Sequence, residues 1–332
     1  MNSETVNESK IIYILKAFAV FSIVCAHCSS VPEGFSPANL IASNLVSSVG
    51  ALGVSVFFLL AGYFFGRNKR SFGEFFKNKI FTLFIPWLFC GIVVYLYVYL
   101  RKGGFSVTGL LQWLLGDGSY LYYMTVLTAC YLIYFCFTKA KWFLYLTAIV
   151  SVISNILTSL NLYAAIGLPI NPYLNILNWA VFFSAGLLIQ MYNKFDSLAR
   201  RSRQYVAVLP VLSILVFIAI TAFDKSFSYW KLYSLPVTTL TFLTFLGLST
   251  MLSIKGAKLL ELLGKDSFTV YLVHMPIAGI VANLFNRFDI WWTTPLRPFV
   301  VVFFTMLFLL CYKWIIQKCR IKKVGAVLLG LR

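Results

Sequence analysis

Residues 142–193 contain no charged side chain and no histidine, a run of 52 residues. A helix needs about 20 apolar residues to cross a bilayer, so this run is too long for one crossing. Pro169 and Pro172, with glycine and asparagine residues beside them, mark a turn near the middle of the run. The run therefore predicts two membrane helices joined by a short polar turn.

Apolar stretches of similar length recur along the rest of the chain. Sixty per cent of the 332 residues are apolar and 11% are charged, whereas soluble domains have about 25% charged residues. No linker or soluble domain interrupts the pattern. We therefore predict a single membrane-embedded domain over residues 1–332, an all-α bundle of about ten transmembrane helices. The predicted spans are 11–30, 45–65, 80–100, 120–137, 142–160, 174–192, 204–223, 232–254, 267–286 and 298–316.

Lysine and arginine are distributed unevenly between alternate loops. With the N-terminus in the cytoplasm, 20 of the 28 fall on the cytoplasmic side, six fall outside with Arg297 among them, and Lys16 and Lys313 lie within spans. Because positive residues concentrate on the cytoplasmic side, this asymmetry predicts cytoplasmic N- and C-termini. It also predicts that the first span is a retained helix and not a cleaved signal peptide. The same distribution explains the net charge of +18 without nucleic-acid binding, since no recognised nucleic-acid module carries it.

Lys16, His27 and His274 are ionisable side chains inside predicted spans. Such groups are costly in a membrane, and their presence indicates a functional site. Eleven helical residues separate Lys16 from His27, which corresponds to about three turns plus 20° and a rise of about 16 Å, so both lie on one helix face. Imidazole titrates near neutral pH, which makes His27 a candidate for proton transfer.

Each of these residues also has a structural interpretation, which for His27 is that most lone histidines are structural. The Lys16 amine can extend back to the membrane interface instead of binding an anion or a cofactor. His274 precedes Pro276, which frees the carbonyl of Leu272, and the imidazole can bind that carbonyl. The segment Cys25-Ala26-His27-Cys28 offers fewer than the four ligands that a structural zinc ion uses, so no metal site is predicted.

Six short motifs follow one another along nearly the whole chain. They are Lys16-x10-His27, the segment GVSVFFLLAGY at 53–63, Lys77-x-Lys79 with Ile85-Pro86-Trp87, Leu121-Tyr122-Tyr123-Met124, Phe182-Phe183-Ser184-Ala185-Gly186, and LGKDSFTVYLVH at 263–274. Together they resemble the membrane acyltransferase-3 family, bacterial integral-membrane O-acyltransferases of surface carbohydrates.

The resemblance implies a ten-helix fold and an activity. It implies transfer of an acyl group, expected to be acetyl, from cytoplasmic acyl-CoA to a hydroxyl of a cell-surface or exported carbohydrate. Acyl-CoA would be a co-substrate, with no tightly bound cofactor. The expected partners are acyl-CoA, a carbohydrate or lipid-linked glycan acceptor, and the bilayer of a bacterial inner (plasma) membrane. The implied site residues are His27 for catalysis, Lys16, Lys77 and Lys79 for acyl-CoA binding, and His274, Tyr271 and Tyr63 as candidates for a second site.

The chain departs from the family pattern at three positions. Lys16 and Thr82 stand where the family usually has arginine, and Ala61 where it usually has serine. Lysine keeps the charge of arginine but lacks its planar two-pronged donor.

Two other classes of function stay open. One is a transporter or exporter of a saccharide or of its lipid-linked form, in which an intramembrane histidine and lysine would serve as proton or substrate sites. The other is a non-enzymatic partner within a polymer-synthesis complex. Acyl transfer by the purified protein would separate the enzyme from both.

Overall fold

The computed structural model describes residues 7–102, 104–137, 140–168, 170–224, 227 and 229–331, and every regular element within them is helical. In chain order the helices are α1 (Glu8–Cys28), α2 (Pro37–Gly50), α3 (Gly53–Gly66), α4 (Phe72–Lys79), a π-helix (Ile80–Phe84), α5 (Ile85–Lys102), α6 (Val107–Leu115), α7 (Tyr122–Phe137), α8 (Lys141–Ser159), α9 (Leu162–Ala165), α10 (Ile176–Met191), α11 (Phe195–Gln204), α12 (Val208–Asp224), α13 (Ser234–Lys255), α14 (Lys258–Lys265), α15 (Ser267–Phe285), α16 (Thr293–Lys318) and α17 (Lys322–Leu329).

Each of the ten predicted spans falls on a helix. Within the described ranges, seven segments are long and apolar enough to cross a membrane, and α10 with α11 forms an eighth if this pair, bent by 104°, is one span. The predicted spans 120–137 and 204–223 fall on the shorter apolar helices α7 and α12. The chain is therefore a multi-pass membrane protein. The count of ten crossings and the cytoplasmic termini stay predictions.

The second predicted span begins earlier than its hydropathy indicated. Residues 37–42 were predicted to be loop, but they form the start of α2, which is followed after two residues by α3. Ser36 precedes Pro37 at the first helical position, a combination that favours helix initiation because proline has no N–H to leave unpaired there. The polar residues of α2 lowered its hydropathy without preventing the helix.

Helix α8 has its polar residues inside and its apolar residues outside. Ile149, Ile153 and Ile156 have exposed fractions of 58%, 50% and 41%, whereas Ser154 and Asn155 are buried. A water-soluble helix shows the opposite arrangement, with its apolar face toward the core. The exposed isoleucine stripe is accounted for if it faces lipid.

The described chain divides into two compact units, of which the first comprises Met1–Phe57 and Tyr192–Met306. Its central helix is α1, which contacts α2, α13, α14 and α15. The ring of Phe18 stacks on Phe245 at 5.3 Å between centroids, and that of Phe21 lies 4.7 Å from Phe299. Beyond its exposed first turn, α1 is enclosed by its neighbours, so that Ser22 is buried and Lys16 and His27 are partly buried within this unit.

The second unit comprises Phe58–Met191 and Leu307–Arg332. A Cβ atom on Gly62 would lie 2.1 Å from the carbonyl oxygen of Phe183, and one on Gly186 would lie 1.9 Å from that of Leu59. Only glycine permits so close an approach of two helix backbones, and small residues commonly have this role in membrane helices. Helices α3 and α10 are therefore in direct backbone contact.

Helices α8 and α10 are joined by a network of amide and hydroxyl groups. Ser154 Oγ donates to Asn178 Oδ1 at 2.7 Å, and Asn155 Nδ2 donates to the Asn178 carbonyl at 2.9 Å. Asn178 Nδ2 in turn donates to the carbonyl of Pro172 at 3.1 Å. We call this set the Asn178 cluster; its members are Ser151, Ser154, Asn155, Asn175 and Asn178. No buried side-chain nitrogen or oxygen in these five residues lacks a hydrogen-bond partner.

Candidate active site

Neighbouring glycines make close contacts with the α1 backbone, and two of these contacts lie near its ends. A Cβ atom on Gly50 would lie 2.3 Å from the backbone nitrogen of Ala26, and one on Gly264 would lie 1.7 Å from the carbonyl oxygen of Tyr13. These contacts fall one residue before His27 and three residues before Lys16. Groups on a helix packed this tightly are held in defined positions, which is what a site for catalysis requires.

His27 on α1 lies against His274 on α15. Their ring centroids are 5.2 Å apart, and the ring planes are inclined by 47°. His274 is fully buried, whereas His27 is only partly buried. The structure therefore brings together the two predicted histidines, which are the only histidines in the sequence, and His27 is the more accessible of the two.

Backbone carbonyls orient the imidazole of His274. Its Nδ1 lies 2.8 Å from the carbonyl oxygen of Tyr271 and 3.2 Å from that of Val270. Carbonyl oxygens only accept hydrogen bonds, so Nδ1 carries the proton, and in the neutral ring Nε2 keeps a lone pair. The Tyr271 ring is also buried, 6.4 Å from that of His274. Tyr271 therefore lies beside His274, and its role at a second site stays a prediction.

Lys16 lies on the same uninterrupted helix as His27 and is partly buried. A second cation, which the sequence analysis did not select, lies near this part of α1: Lys265 Nζ is 5.6 Å from the centroid of the Tyr13 ring. Residues three apart on a helix are neighbours on its surface, so Tyr13 and Lys16 lie side by side. The N-terminal half of α1 therefore carries or borders two ammonium groups.

Lys79, a predicted acyl-CoA ligand, lies in the second unit among aromatic rings. Its Nζ lies 4.5 Å from the Tyr131 ring centroid and 5.1 Å from that of Phe75, and it donates to the Tyr131 hydroxyl at 3.2 Å. Lys77 is exposed. The π-helix begins directly after Lys79, and π-helices are rare elements that occur frequently at functional sites.

Tyr63, the remaining predicted residue, is buried in the second unit. The guanidinium carbon of Arg67 lies 5.7 Å from the centroid of its ring, within the range of a cation–π contact. Thr82, which stands where the family usually has arginine, lies in the π-helix, and its hydroxyl donates to the carbonyl of Asn78 at 3.0 Å. In this chain position 82 thus makes a local backbone contact instead of presenting a charge.

Arg297 is a polar residue that the sequence analysis placed wrongly. It was counted in an outer loop, but α16 begins at Thr293 and Arg297 is fully buried within it. Its Nη1 donates to the carbonyl of Ser30 at 2.9 Å, just beyond the end of α1. Threonine followed by proline is a helix-start signal, and Thr294-Pro295 would have placed this arginine inside the helix.

The class of protein is defined by two features. It is a bundle of membrane helices, and it holds a partly accessible histidine in contact with a buried histidine. It is a multi-pass membrane protein with an ionisable centre suited to proton transfer or to nucleophilic transfer. Among the residues described, no group of three or more His, Cys, Asp and Glu side chains is arranged to hold a metal ion.

The model of the acyltransferase-3 family, described as an acyltransferase domain, matches residues 10–314. The chain belongs to the acyltransferase-3 family, and it is an acyltransferase. The resemblance seen in the six sequence motifs is thereby confirmed. Among curated proteins and among solved structures, none matches the chain.

Proposed function

We propose that the protein is an O-acyltransferase of a bacterial plasma membrane. It transfers an acyl group, in the simplest case acetyl, from cytoplasmic acyl-CoA to a hydroxyl of a cell-surface or exported carbohydrate. The observation that supports this most strongly is the contact between His27 and His274, 5.2 Å apart at their ring centroids, in a bundle with few other ionisable groups. The proposal includes ten membrane crossings and cytoplasmic termini.

Acyl-CoA enters from the cytoplasmic end, where its phosphates meet positive charge. Lys16 lies about 16 Å before His27 along α1 at 1.5 Å per residue, with Lys265 bordering the same part of the helix. In the second unit, Lys77 and Lys79 are the further acyl-CoA ligands of the proposal. Positively charged side chains raise the local concentration of an anionic substrate. The thioester then extends along α1 toward His27.

In one form of the reaction His27 acts as a general base. Its unprotonated ring nitrogen takes the proton of the acceptor hydroxyl as the oxygen attacks the thioester carbon. The C–O bond forms, the C–S bond breaks, and the leaving thiolate takes a proton back from the imidazolium. The products are an ester and the CoA thiol, and His27 returns to its starting state.

In the second form His27 is the nucleophile. Its ring nitrogen attacks the thioester carbon, the C–S bond breaks, and the thiolate takes the imidazole proton and leaves as the CoA thiol. The acceptor oxygen then attacks the acyl group, the C–N bond breaks, and the hydroxyl proton returns to the imidazole. In both forms His274 holds the ring of His27 by contact, and its own orientation is set by the carbonyls of Val270 and Tyr271. His274 is thus assigned as a positioning residue, because its ring is fixed by these carbonyls and lies against His27.

Acyl transfer by the purified protein tests the proposal. The protein is reconstituted in lipid with radiolabelled acetyl-CoA inside the vesicles and a mixture of surface glycans from the producing cells outside. We expect label on the glycans, and none when the protein is omitted. Movement of unlabelled saccharide across the membrane without transfer of label would favour the transporter interpretation and contradict this proposal.

Mass spectrometry of surface glycans gives the complementary test in cells. Deletion of the gene should remove an acyl-sized mass from one glycan, and complementation should restore it. Glycans of unchanged mass would contradict the proposed acceptor class.

A further inference from the structure

Arg297 is fully buried, but most of its hydrogen-bonding capacity is unused. Nη1 donates to the Ser30 carbonyl at 2.9 Å. Nε and Nη2 are buried with no hydrogen-bond partner. These two nitrogens form one edge of the guanidinium, with parallel N–H groups whose spacing matches the two oxygens of a carboxylate or a phosphate.

No carboxylate of the described chain neutralises this cation. The acid closest to it along the chain, Asp289, is exposed and already engaged. Asp289 Oδ1 accepts from Asn39 Nδ2 at 3.1 Å and from Ser36 Oγ at 2.9 Å, and Oδ2 accepts from the Ser36 N–H at 2.7 Å. Burial of a charge without a counter-ion is expensive. A fixed, buried, uncompensated guanidinium is therefore arranged to receive an anion.

The position of Arg297 indicates which substrate brings that anion. Its contact residue Ser30 follows the end of α1, on the far side of His27 from Lys16. Under the proposed function the CoA phosphates bind near Lys16, so an anion at Arg297 reaches His27 from the opposite end of the helix. Ser30 is itself exposed, so the guanidinium contacts a residue at the protein surface.

We propose that Arg297 binds an anionic group of the acceptor, a carboxylate or a phosphate, and thereby places a hydroxyl of an acidic saccharide next to His27. The inference rests on the proposed function and narrows its acceptor to sugars that carry a negative charge. Carboxylate and phosphate share the pair of oxygens that the Nε–Nη2 edge recognises, so both chemistries enter the test.

The test measures binding without an acyl donor, so that it does not depend on acyl transfer. The full-length protein in lipid nanodiscs is titrated with glucuronate, with glucose 1-phosphate and with neutral glucose at constant ionic strength, and its unfolding temperature is recorded. At least one anionic sugar should raise the unfolding temperature saturably, and glucose should not. The sugar that binds tells carboxylate from phosphate. Equal responses to glucose and to both anions, or no response to any of the three, would overturn the proposal.

Three variants locate the effect. Arg297→Gln should abolish the response to the anion, and Arg297→Lys, which keeps the charge but loses the two-pronged edge, should weaken the affinity about tenfold or more. The matched control Arg287→Gln removes an exposed arginine near the same end of the unit, and it should respond as the parent does. A parental response in Arg297→Gln would overturn the proposal.

The stability of the unliganded variant separates binding from a structural role. If Arg297 only held the Ser30 carbonyl, Arg297→Gln would unfold at a lower temperature than the parent. If Arg297 is an anion site, Arg297→Gln removes an uncompensated buried charge. The ligand-free variant should then be at least as stable as the parent. In the acyl-transfer assay Arg297→Lys should raise the KM for the acceptor and leave the KM for acyl-CoA unchanged. A change confined to the KM for acyl-CoA would contradict the assignment to the acceptor.

Discussion

The histidine pair of the first unit and the Asn178 cluster of the second are both polar groups buried among apolar helices, but they differ in chemistry. The Asn178 cluster contains only amides and hydroxyls, and all of its buried side-chain polar atoms are hydrogen-bonded within the protein. The histidine pair contains two titratable rings, of which His27 is partly accessible. Arg297, in the same unit, has two buried nitrogens without a partner.

The difference shows what distinguishes a site from a structural network in a membrane protein. Internal hydrogen bonds that satisfy every group make a network rigid and leave it nothing to offer a substrate. A group that keeps an accessible lone pair or an unused donor is costly to fold and is therefore evidence of function. By this criterion Arg297, with two unused donors, indicates a functional site, whereas the Asn178 cluster stabilises the fold. The proposed chemistry at His27 rests on its titratable, partly accessible ring.

The largest expected effect follows from His27→Gln, which keeps a polar side chain but removes the titratable nitrogen. Acyl transfer should fall by about 10² to 10⁴, the usual contribution of a general base. Expression, membrane insertion and acyl-CoA binding should be kept, as measured by yield, size-exclusion profile and equilibrium binding. A well-folded variant that acylates within a few-fold of the parent would contradict the proposed chemistry.

His274→Gln should have a smaller effect, because under the proposed mechanism His274 only positions His27. Loss of one supporting interaction of about 1 kcal/mol corresponds to a roughly fivefold lower kcat. The measurement is steady-state transfer with saturating acyl-CoA. Losses equal to those of His27→Gln would show instead that both rings take part in the chemistry.

Lys16 variants test the donor end of α1. Lys16→Ala should weaken acyl-CoA binding about tenfold to 100-fold, since hydrogen bonds to charged groups contribute about 1.5–3 kcal/mol. Lys16→Arg keeps the charge and adds a second donor for phosphate, so its affinity should equal or exceed that of the parent. Isothermal titration with acetyl-CoA provides both values. If Ala and Arg variants both bind as the parent does, Lys16 only extends to the interface.

The smallest expected effect on catalysis comes from Asn178→Ala in the Asn178 cluster. Removal of this amide takes the Asn178 acceptor from Ser154 Oγ and the Asn178 donor from the Pro172 carbonyl, at a cost of about 1–3 kcal/mol in unfolding free energy. The specific rate of the folded fraction should not change. Thermal unfolding and acyl-transfer rate are measured on one preparation. A loss of rate without a loss of stability would show that the Asn178 cluster takes part in the active site.

Hydropathy and residue spacing were sufficient to predict part of this molecule. The apolar runs predicted where the helices lie, and the 11-residue spacing of Lys16 and His27 placed both on one face of α1, since helical periodicity is a local property. The pairing of His27 with His274 depends on how α1 and α15 pack, and no local spacing encodes it. The burial of Arg297 was missed because an arginine at the end of an apolar run lowers the hydropathy there. The predicted span therefore begins after it. The aromatic surroundings of Lys79 depend on Phe75 and Tyr131, which are distant from each other in sequence.

Chemical modification of the histidines tests the central claim most directly, because the chain contains only two. Diethyl pyrocarbonate acylates accessible neutral imidazoles, and hydroxylamine reverses the reaction. We expect one modified histidine, His27, identified by peptide mass spectrometry, with acyl transfer lost in proportion and restored by hydroxylamine. The His274→Gln protein should be labelled like the parent, and the His27→Gln protein should not be labelled. Complete modification of His27 with full acyl transfer retained would contradict the account.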